Sequence, residues 1–474
     1  MRCVRGRLAG IAAVALLAAG CGGGGGGGTA SSDNAAGIVP ADAIAFVTVD
    51  TDFGSDQIKN AESVLNKFPI KQKLLAELRS SMSSQGVDAN ALTSSVGPEL
   101  DLAVLSVNGK TNLVGFTKPK NEQAFDAQLD KGSSREVHTK IDGWTAFADT
   151  QAYLDAVKNR KANLSDDASY TAAAKTLPSS ALATAYASPS GIQTAAAGSG
   201  AGSSTAASSA LEALGSAKWF AGALTSSNGA FSFELHTKSS STTSSGAASG
   251  PGLVDEIPSG SIVALSIVGG SGVVPANLKS QVSGLSSTLG IDLGGLLGAF
   301  DGPVIAYVRA GLPLPEVTIA AKPSNPARTT TAVGQLIAKL TQHQFKPVKA
   351  QVDGGTLEKL DLGVASIYYG DVNGQVVVTD SANALSELKG SAGKLTGDQV
   401  FKDAKSASGM PDTSQGFLFI DLKDALPAIS GIAQLANQQI PPGVQKNLAP
   451  LRSLLVYGSQ TSGVENGVFY LDTN

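Results

Sequence analysis

Two long segments, WFAGALTSSNGAFSFELHT (219–237) and LLVYGSQTSGVENGVFYLDT (454–473), alternate apolar and polar residues with a period of two. That period predicts half-buried strands, each segment folding back on itself as a hairpin. Shorter runs predict more strands: IAFVTVD (44–50), SIVALSIV (261–268), LDLAVLSV (100–107) with TNLVGFTK (111–118), and PVIAYVR (303–309) with PEVTIAAK (315–322). Asp142-Gly143 and Asn373-Gly374 lie between alternating runs, the strongest short signal for a two-residue hairpin turn. Apolar residues three and four apart in SDQIKNAESVLNKFP (55–69) and QAYLDAVKN (151–159) predict helices, and ANALSELKG (382–390) is read as another. Asn121 and Asn325 stand where helices should begin, the second followed by Pro326 at the favoured first position. Hairpins interrupted by single helices predict an α+β fold, a mostly antiparallel sheet with helices packed on it.

These elements occur twice. Residues 143–170 match 374–401 without a gap, placing Gly143, Asp149, Leu154, Lys158, Leu164 and Asp167 on Gly374, Asp380, Leu385, Lys389, Leu395 and Asp398. Upstream, Gly97-Pro98 matches Gly302-Pro303, Lys118-Pro119 matches Lys322-Pro323, and IVPADAIAFVTVD (38–50) lies beside EIPSGSIVALSIV (256–268). The shared order predicts two tandem homologous modules, residues 38–238 and 253–474. An uncharged small-residue linker, 239–252, joins them, and a low-complexity insertion, 188–209, interrupts the first.

The first forty residues follow a different grammar. Arg2, Arg5 and Arg7 precede an uncharged run, Leu8–Ala19, and small residues lead directly to Cys21. Twelve apolar residues are too few to span a bilayer, so 1–20 reads as a secretory signal peptide. A cysteine directly after the small residues resembles the lipobox of bacterial lipoproteins, which implies diacylglycerol on Cys21. The displaced leucine, Leu17 four residues before the cysteine, departs from the usual pattern. Residues 21–37, with seven consecutive glycines, then read as a disordered tether reaching roughly 20–25 Å. The expected location is the extracytoplasmic face of the cell membrane, with the N-terminal lipid as the membrane contact. The later stretch LGGLLGAFDGPVIAYV is cut by Asp301 and Gly302-Pro303 and is too short for a second span.

Removing the leader takes away three arginines and leaves 32 basic against 39 acidic residues, a net charge of −7. That balance speaks against nucleic acid as a partner. Cys3 leaves with the leader, so Cys21 is the only mature cysteine and no internal disulfide forms.

The exported leader, the strand after I-x-P, the G-x₅-D-[ST] step at Gly143 and Gly374, and the L-[ST]-x-D-x-x-[YF] segment at Leu164 and Leu395 together resemble a family of mainly actinobacterial exported proteins. That family is defined as a domain of unknown function, so the resemblance implies no chemistry.

The residues themselves offer little more. GSGAGSS (198–204) lies in the insertion, and SAGKLT (391–396) lacks the first glycine and the metal-binding hydroxyl of a phosphate loop. His138, His236 and His343 have no partner at metal-ligand spacing. Ser386 and Lys389 form an S-x-x-K, but Asp155 replaces the serine in the first copy. Asp50, Asp52 and Asp56 resemble a calcium loop, yet Ala61 occupies the twelfth position, and a helix-start cluster accounts for them better. Asp149 and Asp380 precede helices and are expected to cap them. Trp144, Tyr153 and Trp219 are read as packing residues. No catalytic set, metal site or cofactor site is expected. The expected role is a non-enzymatic envelope component that is structural or contacts another protein; the alternative is a carrier for a lipid or other hydrophobic ligand.

Overall fold

The structure is a computed structural model that describes residues 34–474 except 85–87, 132–135, 194–216, 228, 240–252, 269–292, 312–314, 342–343, 364 and 436–437. The leader with Cys21, the insertion from 194 onward, the linker after Ser239 and His343 therefore lie outside the described residues. The chain is α+β and divides into two compact units: residues 1–242 with 463–466 and 473, and residues 243–462 with 467–472 and 474.

The first unit contains β1 (Ala45–Asp50), α1 (Asp56–Asn66), α2 (Lys71–Ser84), α3 (Ala89–Ser95), β2 (Glu99–Val107), β3 (Lys110–Thr117) and α4 (Glu122–Leu129). It continues with β4 (Val137–Ile141), β5 (Trp144–Ala148), α5 (Gln151–Lys158), α6 (Ala168–Ala174), β6 (Ala183–Ala187), β7 (Ala217–Ser227) and β8 (Ala230–Ser239). Its strands run in the order β4-β5-β3-β2-β1-β6-β7-β8, each antiparallel to its neighbours.

Alternation along these strands loads both faces of the sheet. Phe46, Ala103, Val114, Phe116 and Ala146 pack under Tyr153, Leu154 and Val157 of α5 and Ala173 of α6. On the other face Val49, Leu100, Leu102 and Phe147 meet Met82, Leu92, Phe125 and Leu129 of α2, α3 and α4. Phe125 stands edge-on to Phe147, ring centroids 5.7 Å apart.

Local signals start the helices and turns. Ser55 accepts from the Ile58 amide to cap α1, and Asn121 accepts from the Ala124 amide to cap α4. Asp142 and Gly143 both adopt positive φ, +49° and +85°, as a type I′ turn requires.

The second unit contains β9 (Ser261–Ile267), α7 (Leu293–Ala299), β10 (Val304–Arg309), β11 (Glu316–Ala321), α8 (Pro326–Leu340), β12 (Val348–Val352), β13 (Gly355–Asp361), β14 (Ser366–Val372) and β15 (Gln375–Thr379). Then come α9 (Ala384–Leu388), α10 (Gln399–Ser408), β16 (Gly416–Asp421), α11 (Leu422–Leu435), α12 (Pro442–Leu448), β17 (Leu451–Thr461) and β18 (Val464–Thr473), of which residues 467–472 belong to this unit.

The strand order is β12-β13-β14-β15-β11-β10-β9-β16-β17, again antiparallel. Helix α8 starts on the Asn325 cap with Pro326 in its first turn and packs Val333 and Ile337 on Leu360 and Tyr369. Helix α10 lays Phe401 against Phe417 and Phe419 of β16. Asn373 and Gly374, at +56° and +82°, form the second type I′ turn.

Three sequence expectations need correction. The tether was expected to reach residue 37, but Ala35–Gly37 form a 3-10 turn capped by Asn34, and Ala35, Ala36, Ile38 and Val39 are buried. Their small and branched side chains fill the core beside Phe46 and Tyr153, so these residues belong to the folded body and not to the tether. The segment 382–390 forms only the five-residue helix α9. The hairpin β12–β13 was not foreseen; its strands have only weak alternation of burial.

One close approach in each unit tests this architecture. A Cβ on Gly97 would lie 2.2 Å from the Lys118 carbonyl oxygen, and one on Gly302 would lie 1.9 Å from that of Lys322. Neither backbone can yield cheaply, so Gly97→Ala and Gly302→Ala should each destabilise their unit by at least about 2 kcal/mol. Gly298→Ala, with open space around its Cβ, should cost nothing. The protein's 2 tryptophans, Trp144 and Trp219, both lie in the first unit, so urea unfolding followed by tryptophan fluorescence should register Gly97→Ala. Circular dichroism should register Gly302→Ala.

Candidate functional site

Most chemistry-bearing residues are dispersed and engaged in local structure. Asp50 accepts from the Asp52 amide and the Ser55 hydroxyl, and Asp52 accepts from the Gly54 amide. This cluster shapes the turn into α1. Ser386 donates to the Asn383 carbonyl while Lys389 reaches the Gly354 carbonyl at 3.0 Å, so the S-x-x-K pair is split between two tasks.

His138 on β4 faces Asp126 and Asp130, one turn apart on and just beyond α4, at 3.6 and 3.9 Å. His236 on β8 contacts Glu234 at 3.3 Å and Asn466 at 2.7 Å, and these acceptors hold its imidazole pKa above the ordinary value. Trp144, Tyr153 and Trp219 are buried core residues; Lys118 Nζ lies 4.5 Å over the Trp144 ring. Among the described residues no cluster of three or more His, Cys, Asp or Glu could hold a metal ion. Among the same residues no helix is long and apolar enough to cross a membrane.

The expected caps at Asp149 and Asp380 are not formed. Helix α5 begins at Thr150 without a side-chain cap, and α9 begins at Asn383. Asp380 instead accepts from the Val317 amide at 2.7 Å, at the end of the β11–β15 pairing. The carboxylate sits before the turn into the helix, where a strand amide is nearer than the helix's own.

Among the described residues, the acid with a large pKa shift, Asp101, was not singled out from sequence. Asp101 lies in the middle of β2, opposite Thr48 of β1 and Phe116 of β3, and is fully buried. Its Oδ2 accepts from the Ala35 amide at 2.7 Å, so it caps the 3-10 turn with which the described chain begins. Thr48 and the carboxyl of Glu99, two residues away on the same face, also face this carboxyl. Above it Asn34 donates to the Tyr170 hydroxyl at 3.3 Å. Tyr170 stands edge-on to Phe46 and Tyr186, at 6.0 and 5.2 Å. Burial pushes the Asp101 pKa up to about 6, against the Ala35 amide, Thr48, Glu99 and Lys118, which favour the charged form. Burial also raises the phenols of Tyr170 and Tyr186.

A second feature lies in the other unit, an open depression of about 360 Å³ along α10. Thr396, Phe401, Lys402, Lys405, Ser406, Gly409 and Met410 line it, and Lys405 pairs with Asp412.

No protein-family model matches the chain, and no curated protein matches it. Among solved structures, crystal forms IV and III of TP0453 are similar at TM-scores of 0.27 and 0.26, with 14% and 13% identity. Those matches cover 46% and 45% of this chain and 79% and 77% of the other. Similarity at that level carries nothing over about fold or activity.

The Asp101 environment makes a signed prediction. Folded Asp101 keeps its proton to about pH 6, whereas an unfolded aspartate releases it near 3.8. Its contribution to stability is therefore full below about pH 4 and is lost as pH rises through 6. A shift of that size corresponds to about 3 kcal/mol. Asp101→Asn keeps an oxygen for the Ala35 amide and removes the titration. The difference in unfolding free energy between wild type and Asp101→Asn, followed by tryptophan fluorescence, should change by that amount between pH 4 and pH 8.

Proposed function

We propose that the chain is an exported lipoprotein held to the extracytoplasmic face of the cell membrane through Cys21, and that its body is one α+β fold used twice. Its role is non-enzymatic, as a structural or protein-contact component of the envelope.

The duplication is supported by register as well as by sequence. Val114 pairs with Ala148 in the first unit, and Thr318 pairs with Thr379 in the second. Val47 pairs with Leu102 and with Ala185; Leu265 pairs with Ala306 and with Leu418. The pairs among the first strands and the central hairpin follow from one another by the residue offsets of the repeat, and Ala185 and Leu418 differ from the offset of 143–170 on 374–401 by two residues. The aromatic contacts agree: Tyr170–Tyr186 and Phe401–Phe419 both have centroids 5.2 Å apart, with ring planes at 87° and 84°. The second unit adds one hairpin, β12–β13, at the edge where the first ends with β4.

The observation that carries the non-enzymatic reading is where the polar side chains are spent. Asp101 serves the Ala35 amide, Asp380 the Val317 amide, Asp398 the Gly260 amide and Ser226 the Gln57 carbonyl. They hold main chain in place, and no nucleophile, base and orienting group converge among the described residues. The carrier alternative draws on the depression along α10, where Phe401 and Met410 form an apolar floor beside Lys402 and Lys405. Such a site suits a ligand with an acidic head and an apolar body.

In the native envelope, the chain should partition into detergent and its N-terminal peptide should carry diacylglycerol on Cys21. Cys21→Ser should move the protein to the aqueous phase or leave it unprocessed. An unmodified N-terminus beyond Gly28 would contradict the anchor. Native mass spectrometry of the same preparation should give a mass free of ligand; a stoichiometric lipid would favour the carrier.

A further inference from the structure

The second unit carries structure that the first does without. In the first, α4 ends at Leu129 and the next strand is the edge strand β4. In the second, α8 runs on to Leu340, and the hairpin β12–β13 comes before β14, the strand that pairs with β15 as β4 pairs with β5. A sheet of this kind closes without that extension, so its residues can serve something else. At the corner between α8 and β12, Leu340, Phe345 and Val348 are 62%, 38% and 59% exposed, and residues 344–349 are exposed throughout. Lys339, Lys346 and Lys349 lie among them, and no acid occurs from 339 to 352. Across β12–β13 Glu358 stands opposite Lys349, and a further cation, Lys359, stands opposite Val348 and pairs with Asp361 at 3.3 Å. Ile70 and Leu74 in the first unit are also exposed beside lysines, but there Lys71 faces Glu62 at 3.7 Å and Lys73 faces Glu77 at 3.8 Å.

Apolar side chains held out at a corner, with lysines on either side, match the boundary between water and an acidic bilayer. The apolar tips leave water among the upper acyl chains. The ammonium groups stay at the level of the phosphates, on stems that are themselves apolar. The mature chain carries a net charge of −7, so attraction to an acidic surface has to come from a local cluster of this kind. Two copies of the chain meeting here would instead bring two lysine clusters together. We propose that Leu340, Phe345, Val348 and the lysines beside them form a membrane-contact surface for an acidic lipid bilayer.

The use of this contact rests on the lipid-anchor reading, because a body already tethered needs only a weak second contact to stay on the surface. The contact itself does not require the anchor. The test is therefore made on the mature chain, residues 21–474 carrying Cys21→Ser, which keeps every described residue and has neither lipid nor apolar leader. A failure of anchoring then cannot be mistaken for a failure of the contact.

Flotation measures binding to vesicles of phosphatidylcholine alone and of phosphatidylcholine mixed with phosphatidylglycerol. Binding to the mixed vesicles should be at least about tenfold stronger and should weaken as salt is raised. Lys346→Glu with Lys349→Glu should abolish that preference, and Leu340→Ser with Val348→Ser should weaken binding to the mixed vesicles. Equal binding to both vesicles, or a preference that survives the two lysine substitutions, would overturn the contact. A single label supplies a second readout should those variants fail to fold. With Cys3 and Cys21 gone, Val348→Cys provides one thiol for an environment-sensitive dye, whose emission should shift to the blue on mixed vesicles. The same dye on Val444→Cys should not respond, because α12 leads into β17 at the far end of the strand order from β12. No shift at 348, or an equal shift at 444, would overturn the contact. So would a dimer in solution that Val348→Ser dissociates, which would give the surface to a second copy of the chain.

Discussion

A main-chain hydrogen bond between two distant segments organises each unit. Leu164 donates to the Val39 carbonyl at 2.7 Å, and Leu395 donates to the Ile257 carbonyl at 2.8 Å. Each bond ties the residue before a proline, Pro40 or Pro258, to the 3-10 turn that follows α5 or α9. The leucine that donates is itself fully buried. The first strand then runs through the middle of its sheet, flanked on both sides, and α6 packs on β6 and β7, as α10 does on β16 and β17. A main-chain bond of this kind tolerates almost any side chain, which is why the two units can differ so much in sequence around it.

What the sequence made legible is what depends on backbone conformation. Asp142-Gly143 and Asn373-Gly374 need positive φ, Asn121 and Asn325 need to accept amides, and Gly97 and Gly302 need to meet a carbonyl without a Cβ. Few residue types do each of these things, so the choice shows in one sequence. The site was far less legible. Asp101 reads as an outward polar residue in the alternating run LDLAVLSV, and nothing local says that α5, α6 and the 3-10 turn cover that face. Asp380 departs from the expected cap because a strand amide lies closer to its carboxylate, and Asp149 leaves its helix without a side-chain cap while its Oδ1 is buried with no hydrogen-bond partner among the described residues. The packing of Ala35 and Ala36 was hidden by composition, since Ala35-Ala36-Gly37 looks like a tether yet its two alanines are buried in the core.

The two sheets have different kinds of centre. In the second unit Ile305, Phe401 and Phe419 close it with hydrocarbon, which is insensitive to pH and gains from burial alone. In the first, Asp101 and Tyr170 occupy that level, and burial raises the pKa of both. Buried polar groups of this kind add little stability on balance but fix one arrangement over others. Here the arrangement fixed is that of Asn34–Val39 against the sheet.

The account rests on matched registers in the two units, and disulfide trapping tests this directly. In a chain carrying Cys21→Ser, cysteines placed at Val47 with Ala185, and separately at Leu265 with Leu418, face each other across β1–β6 and β9–β16. Opposed strand positions lie within disulfide reach, whereas a shift of one residue sends the side chains to opposite faces. Both matched pairs should oxidise within the chain, and the shifted pairs Val47 with Thr184 and Leu265 with Phe417 should not. Closure of a matched pair in one unit and only of the shifted pair in the other would contradict the common fold.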